Sequence, residues 1–180
     1  IGGKITPKHN TRGGIQMEIQ SHYLISEVTN ALIPAKKIDY DTIVIEADGS
    51  TKHVRRTPLQ IVKDSCLSNW STYEGRKRAV VNYTNYRERV PIPINPLKEI
   101  IAFPTHGVKH YDCCWIMFNQ VDFYDRVYIN STDQTKIIFK NNHELIFNMP
   151  VESFEKLMAR TYVILDAIKR TYRSSRFLVR

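Results

Sequence analysis

A run of three cationic residues follows a glycine in the stretch YEGRKRA, where Arg76, Lys77 and Arg78 come directly after Gly75. Cationic side chains of this kind bind phosphate, and arginine presents a planar fork of donors that matches phosphate oxygens. A nucleotide-binding P-loop is excluded, because that loop requires G-x-x-x-x-G-K-[ST] and Gly75 has no second glycine. The run therefore indicates a phosphate contact or a solvated basic turn.

Potential metal ligands gather in the stretch THGVKHYDCC, which contains His106, His110, Cys113 and Cys114. Zinc binds imidazole nitrogen and thiolate sulfur, and histidines four residues apart can share one helical face. Gly107 argues against a helix here, and adjacent cysteines point to opposite faces of a strand. We therefore predict no metal, and keep a zinc-dependent enzyme built on His106, His110 and Cys113 as the last alternative.

Candidates for acid–base or nucleophilic catalysis are isolated. Cys66 lies in VKDSC on a predicted short helix, where a thiol facing the core is inert and no partner histidine is evident. Asp122 and Asp125 form an acidic pair, but acids in surface turns are far commoner than catalytic acids. No catalytic constellation emerges, so we predict neither enzymatic activity nor a cofactor.

The net charge of +8 is unevenly distributed along the chain. Residues 52–89 contain nine cations and three acids, and residues 156–180 contain seven cations and one acid, so each block carries +6. Residues 17–51 and 112–155 each carry −4. A basic binding face requires such segregation, whereas a merely soluble surface does not.

Aromatic residues are interleaved with the cations of the first basic block, namely Trp70, Tyr73, Tyr83 and Tyr86. Arginines beside small polar residues suit a narrow, electronegative minor groove of duplex DNA. The same mixture of basic and aromatic residues equally suits stacking on single-stranded DNA or RNA. The residues alone predict nucleic-acid binding and leave the type of polymer open.

Composition favours one globular domain. The 180 residues, of which 42% are hydrophobic, suffice for one sizeable core. No apolar run approaches the roughly 18 residues of a membrane span, and IGGKITPKHN contains no apolar signal segment. Three cysteines make a poor disulfide framework and favour a reduced, cytoplasmic setting. We expect a flexible lead-in over residues 1–20 and a single domain over residues 21–180.

The first half of the chain reads as short strands and one helix. TIVIEA is a β-branched run, Asp48-Gly49 is the signal of a tight hairpin turn, and KHVRR would be the returning strand. Thr57 and Pro58 predict the start of a helix. We expect a loop or turn over residues 68–78, followed by a strand in RAVVNY.

The second half predicts more strands and a long helix. VPIPINP cannot be a central strand, because each proline removes a ladder donor, whereas EIIAFP, CCWIMF and RVYIN read as strands. TKIIFKNNHELIFNMP is the clearest hairpin, with Asn141-Asn142 at its turn. An apolar stripe predicts a helix from about Val151 to about Tyr172. The expected fold class is α+β, a largely antiparallel sheet with one short internal helix and a long C-terminal helix.

Five segments in order resemble the ComK family of competence transcription factors: PLQIVKDSC, YEGRKRA, IIAFPT, CCWIMF and MPVESFEKLMART. The resemblance extends from about Tyr23 to Arg170 and places Cys66, Arg76 and Lys77 on family motifs. His106 and His110 depart from the family pattern, and Arg78 extends its Arg-Lys pair. Family members run on past the helix, whereas this sequence stops at SSRFLVR, where Phe177-Leu178-Val179 faintly resembles the family's adaptor site.

The resemblance implies a transcription activator of DNA-uptake genes. Such proteins bind AT-rich boxes in double-stranded DNA from the minor groove as dimers or tetramers, act with RNA polymerase, and are delivered by an adaptor to a Clp protease. We therefore expect a cytoplasmic, nucleoid-associated protein. The residues that contact DNA are, in contrast, predicted from charge, and they form three sets. The first is the central run of cations, and the second flanks it. The third lies on the C-terminal helix, where it either contacts the DNA backbone or is merely solvated at the helix end. The three sets are Arg76, Lys77 and Arg78; Arg55, Arg56, Lys63, Arg87 and Arg89; and Lys169, Arg170 and Arg173.

Overall fold

The computed structural model describes residues 18–175, which form ten strands, three α-helices and one 3₁₀ turn at Phe118–Gln120. The strands are β1 (Ile19–Gln20), β2 (Thr29–Pro34), β3 (Thr42–Glu46), β4 (Thr51–Val54), β5 (Ile92–Asn95), β6 (Ile100–Pro104), β7 (Trp115–Met117), β8 (Val121–Ile129), β9 (Thr132–Phe139) and β10 (Glu144–Phe147). The helices are α1 (Pro58–Ser68), α2 (Tyr73–Thr84) and α3 (Val151–Ser175). The predicted α+β class is confirmed.

The expected N-terminal lead-in and the C-terminal FLV segment fall largely outside this range. Residues 1–17 and Phe177-Leu178-Val179 are not among the described residues. Ile19 and Gln20, which the lead-in was expected to include, form β1 and pair in parallel with His53 and Val54 of β4. Strand β1 therefore lies within the segment that the sequence assigned to the lead-in.

The strands form a seven-stranded sheet, ordered β1-β4-β3-β2-β7-β6-β5, and a three-stranded sheet, ordered β10-β9-β8. Apart from β1 and β4, all pairs in these sheets are antiparallel. Strand β5, which contains Pro93, lies at an edge of the larger sheet, as expected, since proline has no backbone N–H to donate to a second neighbour.

The larger sheet is buried on both faces, and side chains along its central strands alternate between two cores. Leu32 and Trp115 belong to the core beneath α1 and α2, whereas Ala31 and Ile116 belong to the core against the smaller sheet. This alternation follows from the two-residue period of a strand. Helix α3 spans both cores and therefore ties the two sheets together.

Both predicted hairpins are confirmed. Residues 47–50 form the turn between β3 and β4. The Glu46 amide donates to the Ser50 carbonyl at 3.0 Å, and Gly49 has a φ of 83°. Between β9 and β10, Asn142 has a φ of 62°. Glycine and asparagine tolerate the left-handed backbone that these turns require, because they carry no side chain or a short polar one.

Helix α1 begins where the sequence predicts. The Thr57 hydroxyl accepts from the Gln60 amide at 3.3 Å, and the Gln60 side chain accepts from the Thr57 amide at 2.9 Å. This reciprocal capping box satisfies two amides that have no partner within the helix. Pro58 occupies the first turn, where its missing amide costs nothing.

The expected strand in RAVVNY is wrong, and the expected loop over residues 68–78 is confirmed only at residues 69–72, because α2 occupies Tyr73–Thr84. The Thr72 hydroxyl caps this helix by accepting from the Gly75 amide at 3.0 Å. Tyr73 and Val80, two helical turns apart, are its buried residues. The β-branched pair in RAVVNY favoured a strand, but burial of Tyr73 and Val80 on one face outweighs that local preference.

Candidate nucleic-acid interface

Helix α2 is positioned by one buried ring and one ion pair. Tyr73 packs edge-on against Trp115 of the core, with ring centroids 6.4 Å apart. One residue later, Glu74 accepts from Lys63 of α1 at 3.1 Å. The N-terminal turn of α2 is thus fixed to the sheet and to α1, so the cations that follow have defined positions.

Lys77 lines a hollow together with Arg87, Arg89, Val108 and the only acid in its wall, Glu88. We call this the Lys77 hollow; its volume is about 370 Å³, and Tyr73, Val90 and Gly107 complete its lining. Helix α2 supplies Lys77, the segment before β5 supplies the two arginines, and the loop after β6 supplies Val108. Side chains separated in sequence are therefore brought to one concave surface.

The three cations of the Lys77 hollow have no ion-pair partner among residues 18–175. The neighbouring Arg160 of α3 donates to the Glu88 carbonyl at 3.3 Å and stacks 4.9 Å from the centroid of Tyr86. These contacts hold the segment that contains Tyr86 and Glu88 against α3, and they leave the positive charge of the hollow unneutralised. Unpaired cations on a concave surface attract polyanions, because their fields add.

Arg76 differs from the two cations that follow it. Its guanidinium donates from Nη2 to the carbonyl of Asn69 at 2.9 Å, and its Nε is buried without a partner. The side chain therefore braces the turn between α1 and α2. By contrast, Arg78 is exposed and forms no ion pair within the described range. The consecutive cations of YEGRKRA thus have unequal surroundings.

We expect Arg76→Ala to lower the free energy of unfolding by about 1–2 kcal/mol, because the Asn69 carbonyl loses a charged donor. The matched change Arg78→Ala should alter it by less than about 0.5 kcal/mol, since exposed side chains contribute little. Urea denaturation followed by circular dichroism measures both values. Equal midpoints for the two variants would show that the Arg76 brace does not stabilise the fold.

The flanking cations divide into paired and unpaired ones. Arg56 lies 3.8 Å from Asp64 and 3.0 Å from the His22 ring nitrogen, and Lys63 is bound to Glu74. Arg55 is exposed and forms no ion pair with residues 18–175. Exposed ion pairs are weak, so a phosphate can displace these partners at low cost.

Two of the three candidate cations on α3 are paired with acids. Lys169 lies 3.0 Å from Glu99, and Arg170 lies 2.6 Å from Asp166 one helical turn earlier. Arg173 is exposed and lines the same depression as Lys169. Of these three candidate cations, only Arg173 is therefore unpaired within residues 18–175, whereas all three cations of the Lys77 hollow are.

A furrow between α2 and α3 connects the two basic blocks. Its α2 side includes Arg76 and Tyr83, and it continues over Ile168 and Tyr172 to the depression that contains Lys169. In the sequence, the two basic blocks, residues 52–89 and 156–180, are separated by a segment about as long as a small domain. Packing places them on one continuous surface, which sequence reasoning did not predict.

The histidines and cysteines give a zinc site no support. The rings of His106 and His110 stack 5.0 Å apart, and Cys113 and Cys114 enter different cores, as predicted for neighbours on a strand. Over residues 18–175 no three potential ligands lie close enough to hold a metal ion. Burial, the adjoining His110 and then Arg89 lower the pKa of His106, so that its neutral form is favoured.

The remaining catalytic candidates are also without support. Cys66 is buried, and burial raises the pKa of its thiol to about 11, which leaves it protonated near neutral pH. Asp122 and Asp125 are exposed on β8, and the Asp125 carboxylate accepts from the Arg126 amide at 2.7 Å. None of the three forms part of a catalytic constellation.

Two contributors to this surface escaped the sequence analysis. Arg160 belongs to the second basic block by sequence, yet it contacts Tyr86 and the Glu88 carbonyl beside the first. The loop containing Gly107 and Val108 forms one wall of the Lys77 hollow although it carries no binding signal of its own. Only the tertiary arrangement reveals either contribution.

Comparison with known proteins identifies relatives of the chain. The family model described as ComK protein matches residues 20–172. The chain is 30% identical over 141 residues to a competence transcription factor of Bacillus subtilis (strain 168), which covers 77% of this chain and 71% of that protein. No solved structure matches. Within the described range, every helix is too short or too polar to span a bilayer.

Proposed function

Because the chain belongs to the ComK family, we propose that it is a competence transcription factor that activates DNA-uptake genes by binding AT-rich promoter DNA. The observation that carries the DNA contact is the Lys77 hollow, where Lys77, Arg87 and Arg89 lie together without an ion-pair partner among residues 18–175. Duplex DNA carries one negative charge per about 1.7 Å of helix axis, so a patch of unpaired cations is its natural counterpart.

The proposed mechanism combines phosphate contacts with recognition of groove shape. The unpaired cations of the Lys77 hollow bind phosphates and release condensed counterions. Arg78, exposed on α2 beside the hollow, reaches into the narrow minor groove of an A-tract, where the negative potential is strongest. Arg76 supports this surface from behind through the Asn69 carbonyl.

The remaining cations extend the contact. Arg55, Arg56 and Lys63 flank it on the α1 side, and we assign them to the DNA backbone. Arg55 has no ion-pair partner in the described range, and phosphate easily displaces the exposed acidic partners of the other two. Lys169, Arg170 and Arg173 reach the same polymer across the furrow between α2 and α3. Two of these three are paired with acids, so we expect them to contribute less than the Lys77 hollow.

We further infer a homodimer or tetramer on the promoter, with RNA polymerase as the partner of the bound form. This inference rests on the family resemblance, as does delivery to a Clp protease by an adaptor. The adaptor-like Phe177-Leu178-Val179 lies outside the described residues. A single domain comprising the described sheets and helices would carry all of these contacts, since α3 packs against both cores.

The second candidate function is binding of RNA or single-stranded DNA. One observation favours it, namely that Trp70 and Tyr83 are exposed near the cations, as stacking platforms are. Duplex DNA is preferred because the relative is a transcription factor.

Mobility shifts with an A-tract duplex, a GC duplex of equal length and poly-U test the proposal. We expect the A-tract duplex to bind most tightly, and a minor-groove drug to compete with the protein for it. Preference for poly-U would establish the second candidate. Equal affinity for all three polymers would contradict recognition of groove shape and leave only a charge-driven contact.

A further inference from the structure

Trp70 is the most exposed aromatic side chain among residues 18–175. It is 98% exposed at the turn between α1 and α2, and Leu67, three residues earlier, is 60% exposed. Tryptophan is usually largely buried because it carries the largest apolar surface of any side chain. Single exposed apolar residues are common, so exposure alone assigns no role.

The backbone of Trp70 gives a second, independent observation. Its φ is 59°, in the left-handed region that bulky residues rarely adopt. The Ser71 amide donates to the Cys66 carbonyl at 3.1 Å, and the Trp70 amide donates to the Leu67 carbonyl at 3.1 Å. This pattern is a Schellman helix end, in which the residue at the position of Trp70 is most often glycine.

The turn that carries Trp70 is held rigidly from two directions. The side chain of the preceding residue, Asn69, accepts from the side-chain Nδ2 of Asn95 at 2.6 Å and donates to the Ser65 carbonyl at 2.8 Å. Its backbone carbonyl accepts from Arg76 at 2.9 Å. A strained, exposed tryptophan on a braced turn is characteristic of a functional site, because such strain persists only where the surroundings enforce it.

We propose that Trp70, with Leu67 beside it, is an apolar wedge that stacks between base pairs when the protein binds duplex DNA in the minor groove. This inference rests on the proposed function. Proteins that bind the minor groove insert apolar side chains between base steps, and aromatic rings stack on any base. The wedge would fix the position of the protein along the groove, while phosphate contacts supply most of the attraction.

Charge around the turn favours DNA over a protein partner. The turn leads into α2, whose Lys77 and Arg78 have no acidic partner in the described part of the chain. The acids of α1 and α2, Asp64 and Glu74, already lie within ion-pair distance of Arg56 and Lys63. An apolar wedge on a turn that leads into a helix with unpaired cations matches a stack of bases bordered by phosphates.

Tryptophan fluorescence gives a direct test, since the other tryptophan, Trp115, is only 1% exposed. Adding an A-tract duplex to the full chain should quench the emission of Trp70 and protect it from iodide. In Trp70→Gly this quenching should disappear, and affinity for the duplex should fall about 10- to 100-fold, the range expected for a lost base–aromatic stack. Trp70→Phe keeps an aromatic ring and should retain most of the affinity.

The stability of the Trp70→Gly variant serves as the control. Trp70→Gly should unfold at an equal or higher urea concentration than the wild type, because glycine adopts a positive φ freely and the exposed ring buries nothing. Reduced DNA affinity in a variant at least as stable as the wild type therefore reports on contact with DNA. A second variant, Leu67→Ala, should give a smaller loss of affinity.

The outcomes separate the wedge from the proposed function. If the wild type fails to bind any duplex, the proposed function fails and the wedge with it. If the wild type binds the duplex and Trp70→Gly binds it equally well, the wedge is overturned while the function stands. Quenching by single-stranded DNA but not by duplex also overturns it, as does a Trp70→Gly protein that loses only its oligomeric state in light scattering.

Discussion

Neutralising the Lys77 hollow through the triple substitution K77Q/R87Q/R89Q is expected to lower affinity for an A-tract duplex about 100-fold at 0.15 M salt. Each phosphate contact releases about 0.9 counterion, so the plot of log affinity against log salt should become shallower by about three. The loss should be similar for A-tract and GC duplexes, because phosphate contacts carry no sequence information. Mobility shifts or fluorescence anisotropy at four salt concentrations measure both quantities.

A matched triple controls for the change in net charge. K37Q/K140Q/K156Q removes the same three charges from exposed lysines, none of which lines the Lys77 hollow. We expect its affinity to fall only a few-fold, because surface charges separated by more than about 10 Å of salt solution are screened. Equal losses in the two triples would mean that only net charge matters. Unchanged affinity in a folded K77Q/R87Q/R89Q protein would exclude the hollow as a contact.

The substitution Phe154→Ala is expected to lower the free energy of unfolding by about 3–5 kcal/mol, more than is expected for Arg76→Ala. This side chain is fully buried where α3 meets both sheets, with ring centroids 5.6 Å from Phe103 and 5.1 Å from Tyr124. The substitution removes apolar burial and leaves a cavity between the two sheets. A small domain is stable by only about 5–15 kcal/mol, so a large share of its stability would be lost.

Urea denaturation of Phe154→Ala tests this expectation, and Phe123→Ala provides the matched control. Phe123 is 55% exposed on the edge strand β8, so the same chemical change there should cost less than about 0.5 kcal/mol. Comparable losses in the two variants would place the important apolar contacts of α3 elsewhere. Because α3 also carries Lys169 and Arg173, DNA affinity of Phe154→Ala is informative only under conditions where the variant is folded.

Local patterns predicted most elements because each depends on neighbouring residues. The hairpin at Asn141-Asn142, the capping box at Thr57 and the apolar stripe of α3 are all properties of short segments. Helix α2 was missed for the opposite reason. Its apolar face is narrow, with Tyr73 and Val80 buried, and only the packing of Tyr73 on Trp115 makes helix more favourable than strand.

The candidate site was predictable in composition but not in arrangement. Charge counting selected two basic blocks, yet it treated Arg76, Lys77 and Arg78 as one unit. In the fold Arg76 braces Asn69, Lys77 joins Arg87 and Arg89, and Arg78 is exposed. Trp70 was noted only as one of several interleaved aromatic residues, because its left-handed backbone has no signal in sequence.

The sequence by itself determined the α+β class, the segregation of charge and the family to which the chain belongs. These follow from periodicity, composition and ordered motifs, all of which are read along the chain. The tertiary structure alone decided which cations are free, because pairing depends on distances across the fold, such as the 3.0 Å between Lys169 and Glu99. It also decided that YEGRKRA is the start of a helix and that the turn before it presents Trp70 to solvent.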